Sequence, residues 1–240
     1  MTSPWRPEGL PTLGPLGLGF SVPGGVLQES AVAWRPTHRV IMSEHAGENI
    51  FDQIADEEDL EAIRIIADVT NPHIRAQLGE IDLVAPEDRI FAAGSGLIMA
   101  AFAFPGRPSR FSDGSRGTFY GARAEETAVR ETVHHWAEFL SGSGPTVIEV
   151  TLLNASLDAT LVDIRSGQPC PAGVYHDRDY TAGQQLGQVV RDLRGYGIVY
   201  SSVRHSGGEC VAIFRPPVLS ECQAVRELHY HWDGAEITAR

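Results

Sequence analysis

Residues 124–140 carry the clearest amphipathic period in the sequence, and the runs on either side of them read as strands. Ala128, Thr132, Val133, Trp136 and Leu140 line one face of the predicted helix, and Thr127, Glu131, His135 and Glu138 line another. Thr118, Phe119 and Tyr120 read as a strand before it, with strands at about 146–153 and 160–164 after it. A second helix over about 180–193 ends at Gly195, and strands at about 197–203, 209–214 and 226–231 complete the chain. Strands gathered around a few helices, without regular strand–helix–strand alternation, predict an α+β fold.

The N-terminal half is patterned more weakly. Arg39 to Met42 reads as a short strand, and Leu60, Ile63, Ile66 and Val69 recur at helical spacing. Asn71-Pro72 has the form of an N-cap followed by proline at the first helical position, with Gly79 ending that helix. Residues 97–104 are continuously apolar and fit either a buried helix or a strand. Before all of these, Pro4, Pro7, Pro11, Pro15 and Pro23 alternate with glycines, so residues 1–30 are expected to form a partly disordered tail. Residues 31–240 are expected to form a single domain.

With 31 acidic against 19 basic residues, the formal net charge is −12. Duplex binders need the opposite balance to neutralise phosphates, so a direct nucleic-acid role is not expected. Cys170, Cys210 and Cys222 are odd in number and show no CxxC spacing, which predicts free thiols rather than disulfides or a zinc ribbon. No apolar run approaches the ~18 residues of a membrane span. The start of the chain has no basic segment leading into an apolar one. A cytoplasmic location and no membrane partner are expected.

Several short segments could carry chemistry, though each also fits an ordinary structural reading. Arg110 lies in the Ser/Gly-rich turn Ser109-Arg110-Phe111-Ser112-Asp113-Gly114, where a guanidinium could hold phosphate through paired charge-assisted hydrogen bonds or simply be solvated. Glu131 has His134 and His135 at metal-ligand spacing, but no complementary Glu-x-x-His occurs elsewhere, so no metal site is expected. Ser201 and Ser202 end a strand without a Gly-x-Ser-x-Gly elbow.

In order along the chain, these segments resemble the RES-domain family, named for its Arg, Glu and Ser. The resemblance rests on Ser109-Arg110-Phe111-Ser112, Phe119-Tyr120, the run from Ala128 to His135, and Val199-Tyr200-Ser201-Ser202-Val203-Arg204. Phe51-Asp52, Asp56 through Glu61, Thr70-Asn71-Pro72 and the run from Cys210 to Pro216 are similar to its longer, ParT-like branch. The family implies a fold related to ADP-ribosyltransferases, with a twisted, mostly antiparallel sheet and flanking helices. It implies a toxin that consumes NAD⁺ as a substrate, with no recycled cofactor, and that is held inactive by an antitoxin with an Xre-like region.

Carried over, Arg110, Glu131 and Ser202 are the candidate catalytic residues, and Arg39, Arg110, Tyr120 and Ser202 the candidate NAD⁺-binding residues. Arg39 stands in the early Arg-Ile motif as Arg39-Val40, with Arg35 a competing choice. Two positions depart from the pattern: Ser109 replaces the usual glycine, and Ser43-Glu44-His45 replaces a stretch often basic and aromatic. The branch implies transfer of ADP-ribose to a protein, phosphoribosyl pyrophosphate synthetase in particular. Net NAD⁺ destruction by a glycohydrolase or phosphorylase is the close alternative, and a catalytically silent antitoxin-binding module is a further one. A glycoside hydrolase would need two carboxylates flanking a sugar site, and only Glu131 has a motif behind it.

Overall fold

The computed structural model describes residues 20–22, 25–47, 49–70, 72–92 and 94–240. Residues 1–19, most of the expected tail, and Asn71 lie outside the described residues. The fold is α+β, with an eight-stranded, mostly antiparallel sheet flanked by helices.

Two 18-residue strands form its axis: β2 (Gly25–Met42), preceded by β1 (Phe20–Val22), and β4 (Thr146–Asp163). They pair antiparallel from Gln28 opposite Asp163 to Met42 opposite Val150. The ladder shifts register between Trp34 and Thr37, at Arg35 and Pro36. Pro36 has no N–H to give, so pairing is interrupted there. The expected boundary at residue 30 therefore falls inside β2, and the strand expected at 39–42 is only its last part.

The two strands expected at 146–153 and 160–164 are one continuous strand. Asn154, Ser156 and Asp158 read as turn residues, but they alternate with Ala155, Leu157 and Ala159, all buried. The period of two runs through them, and pairing with β2 continues across them. The last strand is also longer than expected, β7 (Leu219–Trp232), followed by β8 (Ile237–Ala239).

The other edge of β4 divides. Thr146 to Leu157 pair antiparallel with β7, while Val162 and Asp163 pair parallel with β5 (Gly197–Ser201). From β5 the sheet runs through β6 (Glu209–Ile213) and β3 (Phe119–Ala122), then returns to β2 at His38 opposite Ala122. The path β2–β3–β6–β5–β4–β2 thus closes on itself.

The helices cover this sheet over separate apolar clusters. The first is α1 (Glu57–Thr70), α2 (Pro72–Leu78) and α3 (Ser95–Ala103), packed with Leu60, Ile98, Phe102, Phe119, Leu153 and Leu157. The continuous apolar run at 97–104 is thus helical, and Gly79 ends α2 at φ +56°. The second cluster places α4 (Glu125–Leu140) against Val150, Leu152, Leu228 and Tyr230.

The third cluster lies under α5 (Thr181–Asp192), where Leu186 and Val190 meet Phe111, Ile198 and Tyr200. Two glycines one turn apart let α5 approach the 109–112 loop. A Cβ on Gly183 would lie 2.2 Å from the Arg110 carbonyl oxygen, and one on Gly187 would lie 2.2 Å from that of Phe111. Gln184 Nε2 donates to the carbonyls of Ser109 and Ser112 from the same face.

Backbone cannot yield as a flexible side chain can, so Gly187→Ala is expected to cost about 1–3 kcal/mol. Thermal unfolding should show a midpoint lowered by several degrees.

Candidate active site

The closed path of strands sets one row of side chains across four of them. His38 lies opposite Ala122, Ala122 opposite Cys210, and Cys210 opposite Tyr200. Cross-strand partners share a face. These four residues form the floor of a cavity of about 590 Å³. Above them α4 presents Ala128, Glu131, Thr132 and His135, and the 107–110 loop forms another side. Only part of the polar face of the predicted helix meets solvent: Thr127 is fully buried and Glu131 lines the cavity, while His135 and Glu138 are exposed.

Glu131 is held by Ser202. Ser202 Oγ donates to Glu131 Oε1 at 2.5 Å and accepts from the backbone N–H groups of Arg204 and His205 at 3.1 and 2.9 Å. The hydroxyl proton is thereby aimed at the carboxylate. A hydrogen bond to a charged group contributes about 1.5–3 kcal/mol. The turn behind this loop comes close to α4 because residue 208 is glycine: a Cβ there would lie 2.8 Å from Cγ2 and Oγ1 of the buried Thr127. Thr127 Oγ1 and His205 Nδ1 are also hydrogen-bonded at 2.8 Å.

Cys210 Sγ lies 3.9 Å from the same Glu131 oxygen. Among the described residues, no hydrogen bond engages Glu131 Oε2.

Arg110 is buried, and Nη1 donates to the carbonyls of Val174 and His176 at 2.8 and 2.9 Å. Its guanidinium lies 5.0 Å from the centre of the Tyr180 ring. Arg39 donates to the Tyr120 carbonyl at 3.2 Å and lies 4.8 Å over the Phe119 ring. Burial lowers the Arg39 guanidinium to about 10, so it stays cationic at neutral pH. Neither arginine has a carboxylate partner among the described residues. The competing Arg35 lies at the surface, 3.5 Å from Asp158.

Tyr120 lines the cavity, but its hydroxyl is engaged elsewhere. It is hydrogen-bonded to Ser109 Oγ at 2.8 Å and accepts from the Phe111 N–H at 3.1 Å. Its hydroxyl thus fixes the loop that carries Arg110, and the ring gives the cavity an aromatic wall.

All five residues singled out in the sequence therefore converge: Arg39, Arg110, Tyr120 and Glu131 line the cavity, and Ser202 bonds to Glu131 from behind it. Arg107, Tyr180, Tyr200 and Cys210 also line it, although the sequence did not mark them as candidate site residues. Only strand register exposes the positions of Tyr200 and Cys210, and only the contact between α5 and the 109–112 loop exposes that of Tyr180. Among the described residues, no group of three His, Cys, Asp or Glu could hold a metal ion, and no helix is long and apolar enough to cross a membrane.

This order of residues on this fold has a family-wide counterpart. The RES domain model matches residues 86–233, and the chain belongs to the RES-domain family. Among curated proteins it is 23% identical over 204 residues to the uncharacterized protein y4oC of Sinorhizobium fredii (strain NBRC 101917 / NGR234), a match covering 84% of each chain. Among solved structures it matches a chain of the M. tuberculosis MbcT–MbcA toxin–antitoxin complex at 11% identity and a TM-score of 0.39. That match covers 54% of this chain and 75% of the other.

Burial raises the thiols of Cys170, Cys210 and Cys222, that of Cys222 to about 11, and the nearby Glu131 charge adds to the effect at Cys210. Raised values mean little thiolate near the ordinary thiol value of about 8.5. Titration with a chromogenic disulfide at about that pH should show all three cysteines reacting slowly in the folded protein and rapidly in guanidinium.

Proposed function

We propose that the chain is an NAD⁺-cleaving toxin of a toxin–antitoxin pair, which transfers ADP-ribose from NAD⁺ to a protein acceptor. One observation carries the reading. A glutamate fixed by a serine hydroxyl faces a cavity bordered by two arginines without carboxylate partners. Membership of the RES-domain family supports the same chemistry. The longer-branch motifs favour phosphoribosyl pyrophosphate synthetase as the acceptor, and an antitoxin with an Xre-like region as the partner. Residues 31–240, with the start of β2, would act as one catalytic domain.

In this reading NAD⁺ is consumed rather than recycled. The bond between the ribose anomeric carbon and the nicotinamide nitrogen breaks, its electron pair leaves with nicotinamide, and the sugar develops oxocarbenium character. Glu131 stabilises that cation and holds a ribose hydroxyl through Oε2, while Ser202 keeps Oε1 in place. Arg39 and Arg110 attract the diphosphate. Tyr120 and Tyr180 offer ring faces for the nicotinamide. The acceptor then bonds to the anomeric carbon and releases its proton.

Incubation with labelled NAD⁺ and lysate tests the reading. Label should be retained on one protein band, and Glu131→Gln and Arg110→Ala should each lower NAD⁺ consumption by at least about 100-fold. Ser202→Ala, which removes one hydrogen bond to a charged group, should cost about 10–100-fold. Free ADP-ribose without labelled protein would replace transfer by net destruction. Unchanged NAD⁺ would leave only a non-catalytic role. Expression without the partner should arrest growth in the wild type and spare cells carrying either of the first two variants.

A further inference from the structure

Residues 111–116 and α5 face each other across a separate cavity of about 250 Å³, which shares no lining residue with the Glu131 cavity. Asp113, Ser115 and Arg116 stand on the loop side, and Gln185 and Arg191 on the helix side. Beside it, the close approach that Gly183 and Gly187 permit joins the two walls.

Two guanidinium groups line this cavity, and neither has a carboxylate hydrogen-bond partner among the described residues. Arg116 is exposed, and its side chain makes no hydrogen bond or ion pair among those residues. Arg191 is half-buried, 4.1 Å from the centre of the Phe214 ring. Its Nη2 donates to the Gly117 carbonyl at 3.0 Å and to Thr118 Oγ1 at 2.6 Å. Its Nε and Nη1 have no hydrogen-bond partner among the described residues. Burial lowers Arg191 to about 10, with the Arg116 charge acting in the same direction, so it stays cationic at neutral pH. Close by, Arg194 and Arg215 show the opposite arrangement, lying 3.6 and 2.6 Å from the Asp88 carboxylate.

Two like charges held at one cavity repel, and an anion between them relieves the repulsion. Asp113 supplies a single negative charge against the pair, and its Oδ1 already accepts from the Ser115 N–H and Oγ at 2.9 and 2.5 Å. The Gln185 side chain is exposed and adds an amide donor that no described residue engages. The volume falls just below the roughly 300–1,000 Å³ usual for organic ligands, which suits a compact anion rather than a nucleotide. Guanidinium groups match such an ion through paired, charge-assisted hydrogen bonds.

We propose that this groove is a binding site for a small phosphate-bearing anion, held between Arg116 of the loop and Arg191 of α5. The ion bridges the loop to α5, as Gln184 already does through the Ser109 and Ser112 carbonyls. Because the same loop carries Arg110, the ion fastens that wall of the Glu131 cavity from outside. The site does not depend on the NAD⁺ reading.

Calorimetry and hydrogen–deuterium exchange on the full chain, with inorganic phosphate or glycerol phosphate and without NAD⁺, test it. Both probes should bind wild type and slow exchange in 111–117 and 181–192. Arg116→Gln and Gln185→Glu change exposed side chains, so folding is retained. Each should weaken binding by at least about 10-fold and abolish the slowing in both segments. Tighter binding of glycerol phosphate would identify a phosphomonoester as the ligand, and tighter binding of inorganic phosphate the free ion. Either result supports the site. No binding of either probe at millimolar concentration would overturn it. So would affinity and protection unchanged in both variants, as an ion held only in the Glu131 cavity would show.

Discussion

The antiparallel pairing of β2 with β4 is the constraint on which the rest of the molecule depends. Both strands are 18 residues long, and their ladder runs from Gln28 opposite Asp163 to Met42 opposite Val150. Such a ribbon is too long for one layer to cover. Its two ends therefore take different partners, β7 at the Thr146 end and β5 at the Asp163 end. The residues of β4 also divide between the two faces of the sheet, Val150 and Leu152 packing beneath α4, and Leu153 and Leu157 beneath α1–α3. Because β3 returns to β2 at His38, the row His38–Ala122–Cys210–Tyr200 becomes a continuous floor.

On that floor the site is assembled by close approaches rather than by many ion pairs. Gly208 lets the 202–208 turn meet α4, which brings Ser202 to Glu131. Gly183 and Gly187 let α5 press on the Arg110 loop, and the Tyr120 hydroxyl holds the same loop from the sheet side. Arg110 in turn ties down the 174–176 segment through two carbonyls. Burying Arg39 and Arg110 without carboxylates costs solvation. In the proposed reading an anionic ligand offsets that cost, which assigns the two positions to binding rather than to stability.

Much of this was legible in the sequence where local pattern and motif order agreed. The period of α4 and the ends of α2 and α5 read correctly from the chain, and Arg110, Tyr120, Glu131 and Ser202, named from motif order, lie close together in the structure. The lengths of β2, β4 and β7 did not read correctly. Asn154, Ser156 and Asp158 have turn chemistry, yet they alternate with the buried Ala155, Leu157 and Ala159 along one continuous strand. The apolar run at 97–104 was ambiguous because a helix buried on several sides loses its period. Arg107, Tyr180 and Cys210 join the site only through packing and register between distant segments, and no local pattern carries that information.

The most direct measurement is a crystal structure of the Glu131→Gln variant soaked with NAD⁺. The account predicts the nicotinamide ribose within hydrogen-bonding reach of the substituted side chain and the diphosphate beside Arg39 and Arg110. A dinucleotide bound away from residue 131, or a site that stays empty at saturating NAD⁺, would contradict it.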